Sequence, residues 1–538
     1  MRKTLMVRKT WITGKTWAAA SLAMATMLTS PLALMAQELK IAMSSEPSSA
    51  DPHYHNLTPN NQVVRHVFET LVFMDEFQAI APGLAANWKI VDDLTWEFKL
   101  RPNVKFHDGS PLTVDDVIFS INRVPNVPKS PAPKTSYVRG KTVERVDDLT
   151  FRVKTPKPEA LMLNHLANVE IMSAKAAASV STEDINAGKG NVGTGPYQFV
   201  EFVPGDRFVV KRNDNYWGQK QPWEKVTFKF IKSDPTRVAA LLSGDVDLIE
   251  TVPTADAQRL AKEPKVVLSS ALSNRLVYLH MDRYRAETPF VKGKDGAAIK
   301  NPFHDLKVRQ ALTKAINRPA IVDRIMEGES VPASQMLPDS YAGTSKNLKP
   351  VAFDLNGAKK LLADAGFPNG FKLTIHGPNG RYTNDTKIIE AVAQMFTRAG
   401  IETSVETLPP AVFFSRASSG GPDKQPEFSM ILAGWSAGTG EPSDSLKSLL
   451  GTYDTKLGRG SANRGRYSNP AMDAVLDKAL ATVDFDKRAA LLAEASEIAM
   501  NDVGLIPIHY QKNTWAAKKG LKVTPRTDEY TLAMSVKP

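Results

Sequence analysis

The clearest structural pattern in the chain is LAANWKIVDDLTWEFKLRPNVKFHDG, residues 84–109. Apolar residues at 96, 98 and 100 alternate with charged residues at 97, 99 and 101. A period of two is typical of a strand with one buried face. We therefore expect hairpin-like strand structure between Trp88 and His107.

Helical patterns lie on both sides of this stretch. Thr113 followed by Asp116 predicts a capping box at a helix start, and a further helix is expected at about 62–72. Residues 306–326 predict a helix broken at Pro319, and residues 266–269 a short strand. Further on, strand 371–376, helix 385–399 closed by Gly400, and strand 401–408 form a βαβ unit. Such a unit implies a partly parallel sheet.

A composition of 42% hydrophobic and 23% charged residues predicts a compact, water-soluble protein. Basic and acidic residues are interspersed despite the net charge of +11, so the sequence has no nucleic-acid signature. With 538 residues, two or three domains are expected. The chain has no cysteine, so no disulfide supports it.

The N-terminus has the three-part pattern of an export signal. Basic residues up to Lys15 precede an apolar stretch from Trp17 to Leu28, and Leu34-Met35-Ala36 forms an acceptable cleavage site. The apolar stretch is too short to serve as a stable membrane anchor. We expect residues 1–36 to be a cleaved signal peptide and the mature protein to be periplasmic.

Several motifs along the chain resemble one family, the dipeptide, oligopeptide and nickel receptors of bacterial ABC importers (family 5). These are the stretch 84–109 and, in chain order, SEPSSADPH, PLTVDDVIFSINR, GTGPYQF, LLSGDVDLI, HDLKVRQALTKAINR, YSNPAMDAVLDKAL and IPIHYQKNTWA. The resemblance implies a substrate-binding receptor that captures a peptide or peptide-like solute and is not an enzyme. Its partners would be an inner-membrane permease and ATPase subunits.

The resemblance also implies an α/β fold: that of a two-lobed type II periplasmic binding protein (Venus-flytrap) with an extra subdomain in the larger lobe. The larger lobe would comprise residues 37–290 and 508–538, with the subdomain at about 69–188. Residues 291–507 would form the second lobe. A monomer without a cofactor is expected, with ligand held in the cleft between the lobes.

The resemblance also implies ligand contacts, assigned to the residues of this sequence that match the family's contact positions. Arg381, followed by Tyr382, matches a family arginine that grips the ligand carboxylate, and a guanidinium suits that task because it binds carboxylates in bidentate fashion. Trp435 and Ser436 lie in GWSAGTGEP, where relatives carry an aspartate for the ligand ammonium at the position of Gly438. Glu441 or Asp444 could replace that acid.

Two residues of the larger lobe, Ser45 and Glu46, are further expected contacts. Because Gly438 replaces the acid, a non-peptide ligand is an open alternative: an opine-like compound, an oligosaccharide or a nickel chelate. His53 and His55 alone do not make a metal site.

An enzyme alternative lies in the same region. Gly434-Trp435-Ser436-Ala437-Gly438 satisfies the nucleophile-elbow pattern of α/β hydrolases, and Asp444 and His509 follow in the expected order. Glycines and a proline after the serine disfavour the helix that the elbow requires. A hydrolase using Ser436 is therefore a remote alternative.

Overall fold

The computed structural model describes residues 38–131 and 134–538. The predicted signal peptide and its cleavage site at Ala36 lie outside these described residues. These described residues form one compact unit.

The strands are short except for two that run for 16 and 13 residues. They are β1 Glu38–Met43, β2 Val72–Met74, β3 Ile80–Pro82, β4 Ala85–Asp92, β5 Thr95–Leu100, β6 Thr142–Arg145, β7 Thr150–Lys154, β8 Tyr197–Val203, β9 Arg207–Arg212, β10 Lys225–Phe230, β11 Leu248–Ile249, β12 Val266–Met281, β13 Val291–Lys292, β14 Ser330–Pro332, β15 Lys372–Pro378, β16 Glu402–Leu408, β17 Met430–Ser436, β18 Ile506–Lys518, β19 Lys522–Val523 and β20 Val536–Lys537.

The α-helices lie between these strands, and the longest are near the C-terminus. They are α1 Thr58–Val64, α2 Val114–Arg123, α3 Thr135–Val138, α4 Met162–Leu166, α5 Ala174–Ala177, α6 Thr182–Asn186, α7 Asp234–Ser243, α8 Thr254–Leu260, α9 Leu306–Ala315, α10 Arg318–Arg324, α11 Leu355–Asp364, α12 Asp385–Ala399, α13 Pro410–Ser419, α14 Pro442–Ser445, α15 Pro470–Ala481 and α16 Phe485–Asn501. None of the helices in the described part of the chain combines the length and apolar character that a bilayer crossing requires.

A 12-stranded mixed sheet organises the molecule. Its order is β13-β15-β17-β12-β18-β11-β1-β10-β9-β8, with β16 beside β15 and β14 beside β18. A separate four-stranded antiparallel sheet, β4-β5-β7-β6, packs in its own apolar cluster of residues from 71 to 171.

The two long strands, β12 and β18, pair with each other in antiparallel fashion along most of their length. Their register is interrupted between Leu272 and Leu276. The apolar core changes at the same place: Leu276 and Val277 pack with residues 291–510, whereas Trp515 and residues nearby pack with residues 39–260. Two core regions are thus joined through one continuous sheet.

Most local predictions are confirmed. The hairpin is β4–β5, although it ends at Leu100 and not His107. The Asp116 carboxylate accepts a hydrogen bond from the backbone N–H of Thr113 at 2.9 Å, as the capping box requires. Helix α12 has the predicted bounds, Gly400 adopts a φ of 109°, and β15 and β16 pair in parallel.

Two predictions of element bounds are wrong. The helix expected at 62–72 is α1, which begins at Thr58 and ends at Val64, because Pro59 favours the first helical turn. The strand expected at 266–269 continues to Met281, since its second half is buried without the alternation that marks a half-exposed strand.

Candidate functional site

A cavity of about 740 Å³ lies where the register of β12 is interrupted. Its lining comes from segments that are far apart in the chain: residues 44–62, 232–255, 379–387 and 511–529, together with Arg275. Cavities of this size are typical of sites for small organic ligands. Of the residues expected to contact ligand, Ser45, Arg381 and Tyr382 line it.

Arg275 and Glu529 form a buried ion pair in the cavity wall. Arg275 Nε lies 3.0 and 3.1 Å from the two Glu529 carboxylate oxygens, and its Nη2 also contacts Oε2. The side chains are only 8% and 9% exposed. Ser273 Oγ donates to the same carboxylate at 2.7 Å. Burial by itself raises the pKa of Glu529. The charge and hydrogen bonds of Arg275 outweigh burial, so the net pKa lies below its ordinary value.

The loop between β15 and α12 carries Arg381 and Tyr382. The Asp385 carboxylate accepts hydrogen bonds from the backbone N–H groups of residues 380, 381 and 382 at 3.1, 2.8 and 3.0 Å, which fixes the loop. Tyr382 Oη donates to the carbonyl oxygen of Gly434 at 3.0 Å. A Cβ on Gly434 would lie 2.8 Å from Tyr382 Cε1, so this close approach requires glycine.

The guanidinium of Arg381 makes no side-chain hydrogen bond or ion pair with any residue in the ranges 38–131 and 134–538. It lies 5.3 Å from the centroid of the Tyr382 ring. Burial lowers the pKa of Arg381, and the nearby charge of Arg275 acts in the same direction. The side chain nevertheless reaches solvent, so a ligand has access to it. Arg381 is therefore a cation that is open to an external anion.

The other predicted contacts lie elsewhere. Glu46 pairs with Lys232 at 3.2 Å and is not among the residues that line the cavity. Glu441 is buried, and its Oε2 accepts from Arg488 Nε at 3.1 Å. Trp435 packs against the apolar cluster of the C-terminal core region. These three residues are not brought together with Arg381 in the cavity, and their role in ligand binding stays a prediction.

Ser436 does not form the arrangement of a hydrolase triad. Its hydroxyl donates to Asn274 Oδ1. His509 is buried, and both of its ring nitrogens lack hydrogen-bond partners in the described part of the chain. Asp444 accepts from Ser448 Oγ at 3.5 Å, and burial raises its pKa. The three side chains thus have separate surroundings.

The backbone after Ser436 is held by amide side chains. We call residues 437–439 the carbonyl loop. The carbonyl oxygen of residue 437 accepts from Gln78 Nε2 at 3.2 Å and Asn274 Nδ2 at 2.8 Å. The oxygens of residues 438 and 439 accept from Asn168 Nδ2 at 3.2 Å and Asn164 Nδ2 at 2.7 Å. Four neutral donors therefore bind three consecutive carbonyl groups.

Gly438 is the residue that the sequence analysis places at the position of the family's acid. A Cβ built there would lie 3.1 Å from Tyr137 Oη. That hydroxyl accepts a hydrogen bond from Asn56 Nδ2 at 3.2 Å. A neutral tyrosine thus faces this position, and neither Glu441 nor Asp444 lines the cavity in place of the acid.

No group of histidine, cysteine, aspartate and glutamate residues suited to a metal ion occurs within the described ranges. His53 Nε2 pairs with the Glu170 carbonyl oxygen at 2.8 Å, whereas His55 Nδ1 pairs with Ser48 Oγ at 2.9 Å. The two histidines do not converge.

The charged cavity residues that sequence reasoning missed include Glu250, Arg275 and Glu529. Glu250 follows the apolar strand β11, and Arg275 directly precedes the largely apolar run 276–281 at the end of β12. A charged residue beside an apolar strand segment was the signal from which these two residues could have been predicted. Glu529, with a φ of 67°, lies in a turn-rich segment that gave none.

Comparison with known proteins identifies relatives over nearly the whole chain. Residues 79–456 match the family described as bacterial extracellular solute-binding proteins, family 5 Middle. The chain is 30% identical over 484 residues to heme-binding protein A of Haemophilus influenzae, covering 84% of this chain and 83% of that protein. It is 29% identical over 509 residues to the glutathione-binding protein GsiB of Pectobacterium atrosepticum, covering 94% and 95%.

The fold comparison agrees. The structure of HbpA2 from Haemophilus parasuis superposes with a TM-score of 0.76 at 26% identity, covering 93% of this chain and 99% of that chain. The predicted α/β, two-lobed type II architecture is thereby confirmed.

Proposed function

Because the chain belongs to the family 5 bacterial extracellular solute-binding proteins, we propose that it captures a carboxylate-bearing peptide or peptide-like solute for an ABC importer. The observation that carries this proposal is the open guanidinium of Arg381 in a cavity of about 740 Å³. Arginine favours carboxylates because its planar fork makes two parallel hydrogen bonds.

Capture would involve closure of the two lobes. We place the crossings between them at residues 273–275 and 511–514, where the register of β12 breaks and the core changes. The sequence-based boundaries at 290/291 and 507/508 stay predictions. A ligand that contacts both sides of the cavity would favour the closed form by its better contacts there.

Delivery would involve a membrane permease and its ATPase subunits, as is usual for ABC importers. Export to the periplasm through the N-terminal signal and a monomeric state are part of the same proposal. The relatives are solute-binding proteins, which favours a receptor and not an enzyme.

The relatives' names suggest two ligands to examine first, glutathione and heme. Both molecules carry carboxylates, so Arg381 is compatible with either. Opine-like compounds also carry carboxylates, whereas a neutral oligosaccharide would leave Arg381 without a partner. This favours the peptide-like class over oligosaccharides.

The experiment is calorimetric titration of the mature protein with reduced glutathione, hemin and an enzymatic casein hydrolysate. For the probe that binds, Arg381→Ala should weaken affinity by about 2–5 kcal/mol, because it removes a charge pair that lobe closure around the ligand would desolvate. Arg324→Ala, an exposed arginine of α10 outside the cavity lining, is the matched control and should bind as the wild type does. Unchanged affinity in Arg381→Ala, or no binding of any probe, would contradict the proposal.

A further inference from the structure

The charged side chains that line the cavity are mostly neutralised within the protein. Arg237 Nη2 pairs with Asp234 at 2.6 Å, Arg275 pairs with Glu529, and Lys232 pairs with Glu46. The Asp385 carboxylate is satisfied by backbone N–H groups. Within the described ranges, the lining residues without a side-chain partner of opposite charge are Arg381, Lys387, Asp385 and Glu250, and of these Asp385 is held by the three backbone N–H groups.

Lys387 is exposed, so water solvates its charge. Glu250 differs, because it is only 6% exposed. A carboxylate that is removed from water without a cation beside it is unfavourable unless another group compensates its charge. The lining therefore has two exposed cations without an acidic partner, Arg381 and Lys387, and one buried acid, Glu250, that has neither a paired cation nor the three backbone N–H donors that hold Asp385.

The surroundings of Glu250 orient its carboxylate without pairing it with a cation: burial raises the pKa of Glu250, and its hydrogen bonds and the nearby charge of Arg237 offset this only in part. Gln62 Nε2 donates to Oε2 at 3.0 Å, and the backbone N–H of Ser44 donates to Oε1 at 3.2 Å. Arg237 is close, but its Nε donates to the backbone carbonyl oxygen of Glu250 and not to the carboxylate. Gln62 and Ser44 also line the cavity.

We propose that Glu250, held by Gln62 and Ser44, is a second ligand subsite that receives an ammonium group, so that the preferred ligand is a zwitterion with its carboxylate on Arg381. This inference rests on the proposed function. It also accounts for Gly438: the hydroxyl of Tyr137 faces that position, and the acid needed for an amine is supplied from the segment after β11.

The chemistry favours a cation over a neutral donor at this subsite. An ammonium group donates hydrogen bonds and also compensates the buried charge, which an amide or hydroxyl does not. A ligand that carries one positive and one negative group would leave the charge of the cavity unchanged while satisfying both Arg381 and Glu250.

The experiment uses an enzymatic casein hydrolysate supplemented with reduced glutathione, in two forms: untreated and N-acetylated. The mature protein is incubated with each, washed, and the retained compounds are identified by mass spectrometry. The tightest component is then synthesised with a free and with an acetylated amine. In the wild type, acetylation should weaken binding about 10- to 100-fold, as expected for the loss of hydrogen bonds to a charged group.

Glu250→Gln keeps the size and shape of the side chain and one of its two accepting oxygens but removes its charge. In this variant the free-amine ligand should bind about 10- to 100-fold more weakly, and acetylation should have little further effect. Glu263→Gln, which is half-buried and outside the lining, is the control. The acetylation effect in the wild type tests the proposal even where Glu250→Gln does not fold.

The outcomes separate this inference from the proposed function. If acetylated compounds are retained as well as free amines, and Arg381→Ala releases both, the receptor for carboxylates stands and the Glu250 subsite is overturned. An equal acetylation effect in wild type and Glu250→Gln also overturns it. If neither hydrolysate is retained, both the inference and the peptide proposal are wrong.

Discussion

Removing one partner of the buried ion pair between Arg275 and Glu529 should destabilise the protein strongly, and Glu529→Gln is the change that tests this. The substitution leaves the Arg275 charge in a site where the side chain is 8% exposed. Breaking a buried pair by removing one partner costs about 3–5 kcal/mol. Since a glutamine oxygen can still accept from Arg275 or Ser273, we expect the lower end, about 3 kcal/mol.

The assay is urea unfolding followed by tryptophan fluorescence. Arg275→Met combined with Glu529→Gln should be more stable than Glu529→Gln alone, because the uncompensated charge is gone. Asp364→Asn is the control: its pair with Lys360 is exposed, so no measurable loss is expected. A loss below about 1 kcal/mol for Glu529→Gln, or one equal to the control, would refute this reasoning.

The same pair predicts an acid dependence. Burial raises the pKa of Glu529, but Arg275 outweighs burial and lowers the net pKa. A carboxylate with a lowered folded-state pKa stabilises the protein above its unfolded pKa of about 4.3, and that contribution is lost as the pH falls through the folded pKa. The stability difference between wild type and Glu529→Gln should therefore shrink on acidification from neutral pH. A difference that stays constant down to pH ~3 would contradict this.

Two further substitutions have defined outcomes. Gly434→Ala places a Cβ 2.8 Å from Tyr382 Cε1, so we expect the free energy of unfolding to fall by about 1–3 kcal/mol and ligand binding to weaken. Thermal or urea unfolding measures the first effect. Wild-type values for both stability and binding would show that the ring can move freely. Glu170→Gln leaves Lys134, whose side chain is 1% exposed, without its acid, and should lower the free energy of unfolding by about 3–5 kcal/mol. The double variant Lys134→Met with Glu170→Met should recover most of that stability, because no buried charge is left. A double variant as unstable as the single one would disprove this.

Elements with local signals could be predicted from sequence. The capping box at Asp116, the hairpin β4–β5 and helix α12 each depend on residues within a few positions of one another. Strand β12 could not be predicted to its full length, because its buried second half lacks alternation and periodicity alone does not assign such a run.

The candidate site could be predicted only in part, because most of its side-chain partners are distant in the chain. Arg381 was found because resemblance and side-chain chemistry agree, and the cavity lining includes it. Glu441 illustrates the limit: its surroundings are decided by Arg488, which lies 47 residues further along the chain. Which charges are paired within the protein and which stay open to a ligand depends on such distant partners, and no local pattern reports them.

The carbonyl loop has a consequence for how a guest molecule could be released. Its donors are uncharged carboxamides, which neither titrate near neutral pH nor respond strongly to dissolved salt. The contacts inferred for the guest, at Arg381 and Glu250, are ionic. Raising the ionic strength should thus weaken retention of the guest while leaving these amide contacts intact. Release of the guest and separation of the loop from its donors then become two events that can be observed one at a time.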